Sequence, residues 1–67
     1  MKVFLNEHAL EVHTSVSLAN MLENQKVLDT SGIAVAINNQ VISKSSWADT
    51  ILNENDKIII ITATAGG

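Results

Sequence analysis

Four isoleucines in a row, Ile58-Ile59-Ile60-Ile61, constrain this chain more than any other stretch. They lie within Lys57-Ile58-Ile59-Ile60-Ile61-Thr62-Ala63-Thr64, and a run so rich in β-branched residues reads as a strand. A strand with one wet face alternates apolar and polar residues, and this one does not. Such a run suits a central strand with cover on both faces, as parallel pairing often requires. At a sheet edge the same residues would be an aggregation hazard. The strand therefore needs neighbours, and only 67 residues are there to supply them.

Candidates for those neighbours follow along the chain. Lys2-Val3-Phe4-Leu5 reads as a strand. Ala9 to His13 alternates, with Leu10 and Val12 on one face and Glu11 and His13 on the other. Asn6-Glu7-His8 between them is a tight turn without the glycine that hairpin turns favour. Over Leu18 to Gln25, the residues Leu18, Met21 and Leu22 form one stripe of an amphipathic helix, with Ser17 as its N-cap. A helix this short needs a sheet to hold it. Lys26 to Gly32 is a polar link.

Ile33-Ala34-Val35-Ala36-Ile37 reads as a buried strand, and Asn38-Asn39 is a turn signal because Asn tolerates left-handed backbone. Val41-Ile42 returns as a short strand. Ser45-Ser46-Trp47-Ala48 reads as a short helical turn with Ser capping ahead of Trp47, and Asn53 to Asp56 as a polar loop. The order ββαββ, turn, β predicts an α+β domain: a mixed sheet of four to five strands with one main helix across it. With the first and last strands adjacent and parallel at the centre, the sheet grips the helix. That is the ubiquitin-like β-grasp arrangement.

Composition narrows the function classes. The net charge is −3, with four lysines and no arginine, which argues against a nucleic-acid binder. Without cysteine there is no disulfide framework or thiolate metal cage, which fits a reducing compartment. The aliphatic run at Ile58–Ile61 is far short of the roughly 20 residues of a membrane helix. Asn6 and Glu7 arrive too early for a secretory signal, so a cytoplasmic location is expected.

Two of the three glycines are the final residues, Gly66-Gly67, after Thr62-Ala63-Thr64-Ala65. Glycine has no Cβ, so such a tail can thread a narrow passage and place a carboxylate in another protein's active site. An ordinary frayed terminus would look the same at this level.

The chain resembles the ThiS family, the sulfur carriers of thiamine thiazole biosynthesis. Ala36-Ile37-Asn38-Asn39-Gln40-Val41 and Trp47-Ala48 match its central hairpin and turn. Leu52, Glu54, Asp56, Ile58 and Ile60 match its last loop and strand, ending in Ala65-Gly66-Gly67. Val3, Leu5 and Asn6, with Ser17, Leu18, Met21 and Leu22, also fit. Two positions depart from it: many members carry glycine where this chain has Glu7, and another in the loop that here reads Glu54-Asn55-Asp56.

The resemblance implies a β-grasp domain over 1–63 and a flexible tail over 64–67. It implies a substrate rather than an enzyme. The Gly67 carboxylate is adenylated by an E1-like enzyme of the ThiF type, which uses ATP. A sulfur donor protein then supplies the sulfur of a thiocarboxylate on Gly67, and a thiazole synthase of the ThiG type receives it. Ala65 and Gly66 keep the leader to Gly67 slim. No bound cofactor and no metal are implied, nor any nucleic acid or membrane partner, and the free carrier is expected to be a monomer. A molybdopterin-synthase-type sulfur carrier and a ubiquitin-like protein modifier share the fold and the tail. A plain interaction module with an incidental tail is the further alternative.

Strand alternation adds one reading. If Val3, Leu5, Ile58 and Ile60 face the helix, then Phe4, Ile59 and Ile61 face away from it. One helix cannot cover both faces, so these three form a docking patch for the partners. Burial under the Ser45 to Leu52 segment is the alternative. His8 and His13 lack the company a metal or catalytic site needs, and Trp47 reads as a core anchor.

Overall fold

A computed structural model describes residues 1–27 and 32–62. Its elements run β1 (Lys2–Leu5), β2 (His8–Glu11), α1 (Leu18–Asn24), β3 (Ile33–Ile37), β4 (Gln40–Ile42), a 3₁₀ turn over Lys44–Asp49, and β5 (Lys57–Thr62). The five strands form one sheet in the order β2-β1-β5-β3-β4, so the isoleucine strand is the middle one. β5 is parallel to β1 and antiparallel to β3, which is the arrangement expected for a β-grasp.

Both hairpins turn on two residues of positive φ: Asn6 at 47° and Glu7 at 73°, Asn38 at 51° and Asn39 at 71°. Positive φ at both central positions gives a turn whose twist matches the flanking strands. At the first turn Glu7 accepts the left-handed backbone that a glycine would adopt without a Cβ clash. The second departure from the family pattern behaves alike, with Asn55 at φ 68° in the loop before β5.

Helix α1 starts where Ser17 Oγ accepts from the Asn20 amide at 3.1 Å. It ends in a Schellman pattern: Lys26 N–H donates to Glu23 C=O, and Val27 N–H to Leu22 C=O. Lys26 takes the left-handed position at φ 62°. Leu18, Met21 and Leu22 are fully or almost fully buried and meet Val3, Val35 and Ile58 from the sheet, with Val16, Trp47 and Leu52 closing the core. Trp47 satisfies its indole nitrogen on the Ile42 carbonyl at 3.0 Å. The 3₁₀ turn is not capped by a serine side chain, contrary to expectation: Ser43 precedes it in an extended conformation and makes no side-chain cap bond.

A buried carboxylate ties the entry of β5 to the second hairpin. Asp56 accepts from Asn38 Nδ2 at 3.0 Å and from the Asn53 amide at 2.8 Å, while Asn38 Oδ1 accepts from the Lys57 amide at 3.0 Å. These bonds fix where the central strand begins.

Candidate functional site

The sheet has two faces, and the described residues cover only one. Strand pairing sets which residues share each face. Phe4 lies opposite Ala9 on one side and Lys57 on the other. Ile59 lies opposite Ala36, and Ala36 opposite Val41; Ile61 lies opposite Ala34. Side chains directly opposite point the same way, so Phe4, Ile59, Ile61 and Val41 all stand on the face away from α1.

Exposure agrees with that count. Ile58, on the helix face, is 1% exposed, whereas Ile59 is 40% and Ile61 54% exposed. The isoleucine run therefore does not have the cover on both faces that its lack of alternation suggested. Nor does the Ser45 to Leu52 segment cover the outer face. Trp47 and Leu52 pack into the core with the helix residues, the Leu18 amide bonds to the Thr50 carbonyl, and the Leu52 amide to the Val16 carbonyl. That segment closes the helix side instead.

The structure thus brings Phe4, Ile59 and Ile61 together on one open surface. It adds Val41, which is 72% exposed and which the sequence reading left unassigned. The signal was present: Val41 sits across the Asn38-Asn39 turn from Ala36, in register with Ile59. Reading it required the pairing of β3 with β5, which a single strand pattern does not give. Beside Phe4 the surface dips into a hollow of about 330 Å³ lined by Phe4, Glu7, Lys57, Ile58 and Ile59. Lys2 Nζ lies 5.3 Å from the Phe4 ring centroid, within cation–π range. The face is apolar toward β4 and carries its charges toward β1.

The tail residues Ala65, Gly66 and Gly67 lie outside the described residues, as does the boundary placed at 63 and 64. The two histidines are exposed, on β2 and just after it. Among the described residues no group of three or more His, Cys, Asp or Glu could hold a metal ion, and no helix is long and apolar enough to cross a membrane.

Comparison with known proteins adds to this geometry. A model described as the ThiS family matches residues 2–67. The Sulfur carrier protein ThiS of Escherichia coli (strain K12) is 30% identical over 67 residues, a match that covers 100% of both chains. A crystal structure of the thiamine biosynthesis protein ThiS from Geobacter metallireducens superposes with a TM-score of 0.88 at 20% identity, covering 100% of both chains. A solution structure of a thiamine biosynthesis protein from the same organism gives 0.77 at 19% identity, covering 100% of this chain and 88% of that one. At those identities the two structures speak for the fold.

Proposed function

The chain belongs to the ThiS family, and from that premise we propose that it is a sulfur carrier of thiamine biosynthesis that works through the carboxylate of Gly67. The observation that carries this reading is the end-to-end match to a sulfur carrier, which leaves no part of either chain unpaired.

The chemistry explains the tail. A carboxylate resists nucleophiles because its leaving group would be oxide. Attack by a Gly67 oxygen on the α-phosphorus of ATP, with loss of pyrophosphate, makes an acyl adenylate whose leaving group is AMP. The terminal sulfur of a donor persulfide then bonds to the acyl carbon as AMP departs. A thiol cleaves the resulting sulfur–sulfur bond and leaves as a disulfide, and Gly67 keeps a thiocarboxylate. In-line attack needs the carboxylate held close to phosphorus, which a branched terminal residue would obstruct. Ala65 and Gly66 supply the slim approach.

On this reading the chain is the substrate of its partners, in the cytoplasm. An adenylating enzyme of the E1-like class uses ATP on it, a sulfur donor protein loads it, and a thiazole synthase unloads it. Phe4, Ile59 and Ile61 dock these partners; an apolar surface on so small a protein is the usual mark of a docking site.

Two experiments test this. Intact mass of the chain after incubation with ATP, a sulfur donor and its activating enzyme is expected to show Gly67 with one oxygen replaced by sulfur. A chain that forms neither adenylate nor thiocarboxylate sinks the reading; an isopeptide product would make it a modifier. For the docking face, Phe4→Glu is expected to fold and to slow adenylation at limiting carrier. Unchanged kinetics in a folded Phe4→Glu protein would remove that face from the proposal.

A further inference from the structure

The middle strand of the sheet is paired to its end along only one of its edges. β3 follows β5 to its last residue, with Ile33 opposite Thr62. β1 does not: its pairs with β5 are Phe4–Lys57 and Leu5–Ile58, and the chain then turns away at Asn6-Glu7. β5 runs four residues past Ile58, about 13 Å at the usual rise.

The directions of the peptide groups follow from the hydrogen bonds. Asn38 N–H donates to Lys57 C=O, so the Lys57 pair with β3 is a bonded one. Alternation then turns Ile59 and Ile61 toward β3, and Ile58, Ile60 and Thr62 toward the β1 side. The β1-side partners agree: Asn6 N–H donates to Ile58 C=O at 2.9 Å, and Ile60 N–H donates to Asn6 Oδ1 at 2.9 Å. The Asn6 side chain thus stands in for the strand that has left. Beyond it lie Ile60 C=O and Thr62 N–H, which the alternation turns to the side where β1 has ended, and to which no described residue outside the strands bonds.

We infer that this edge, at Ile60 and Thr62, receives an extended backbone segment of the adenylating enzyme as an added strand. The inference rests on the functional reading above. Gly67 is the fifth residue after Thr62, at most about 18 Å away in extended chain. A protein that holds the Gly67 carboxylate in its cleft therefore comes within that distance of this edge. Groups left to solvent by the described residues need protein partners once another protein closes over them. Strand addition meets that need through main-chain bonds, while Ile59 and Ile61 on the adjoining face supply the apolar contact. A second copy of the chain is a poor occupant. Two peptide groups cannot anchor the roughly 800 Å² per partner of a stable interface, but they suffice to set register for a tail already seated.

Thr62→Pro tests this cleanly. It deletes the N–H that points away from β3, so it removes no internal hydrogen bond, and Ile61 before it already has the strand backbone that a following proline requires. Thr62→Val keeps the donor. In adenylation assays at saturating ATP, the KM for Thr62→Pro carrier is expected to rise about tenfold, the worth of one well-made hydrogen bond, while Thr62→Val stays within about twofold. Both variants should melt close to the parent. An unchanged KM for Thr62→Pro overturns the inference.

Hydrogen exchange of the unsubstituted chain gives an answer even if proline harms the fold. The Thr62 amide is expected to exchange fast when free and slowly in the enzyme complex; equal rates overturn the inference. So does slow exchange in the concentrated chain alone, which would point to a second copy. A parent chain that is never adenylated fells the functional reading and this inference together. A parent that is adenylated, with Thr62→Pro its equal, fells this inference alone.

Discussion

Lys26 and Glu7 hold left-handed backbone that each residue's own side chain disfavours, whereas Asn55 holds it at little cost. Asn38-Asn39 was legible as a turn because Asn visits this region readily. Glu7 and Lys26 were not, since their positions are dictated by hairpin twist and helix termination and their side chains carry no such preference. Lys26→Gly relieves a Cβ clash at the helix end while loosening the unfolded chain. We expect a net gain of about 0.5–1 kcal/mol, read as a melting point several degrees higher. Asp56→Ala acts in the opposite sense. It leaves the Asn38 amide and the Asn53 N–H without their acceptor in a part-buried site. The expected loss is about 2–3 kcal/mol, visible as a large drop in the thermal midpoint. A midpoint unmoved by Asp56→Ala would mean that water replaces the carboxylate.

Helix α1 was legible almost to the residue, because three signals coincide: Ser17 as cap, the Leu18, Met21, Leu22 stripe, and a polar link beyond. Its seven residues are too few to persist alone, so its stability is borrowed from the sheet. Met21→Ala is therefore expected to cost about 2–5 kcal/mol, comparable to the whole stability of a domain this size, and to leave a largely unfolded circular dichroism spectrum at 37 °C. Ser17→Ala removes one cap bond and should cost only about 1 kcal/mol in a urea titration. The isoleucine strand was half legible. Its existence and its central place follow from the run itself. Its exposed side does not, because a run without alternation holds no information about facing; the register with β1 and β3 supplies that.

Across the whole molecule, the β-grasp architecture followed from element order, and the outer patch of Phe4, Ile59 and Ile61 from counting faces against one helix. Val41 escaped because it joins the patch through two strand pairings, a local one with Ala36 and one between Ala36 and Ile59 that is remote in sequence. Being 72% exposed, it contributes little to the core. Val41→Lys is expected to shift stability by no more than about 0.5 kcal/mol and, on the proposed function, to weaken capture by an adenylating enzyme, measured as a slower rate at low carrier concentration. An unaltered rate would confine the docking face to β1 and β5. The central position of β5 has a further consequence, for synthesis. The ribosome makes it last of the five strands, so β1 and β3 emerge with no shared neighbour and must wait for it before either can join a sheet. A nascent chain cut short before Lys57 holds two separate hairpins and no fold. Only a chain that already includes β5 can close the sheet, so the fold forms after its last strand is made rather than progressively from the first.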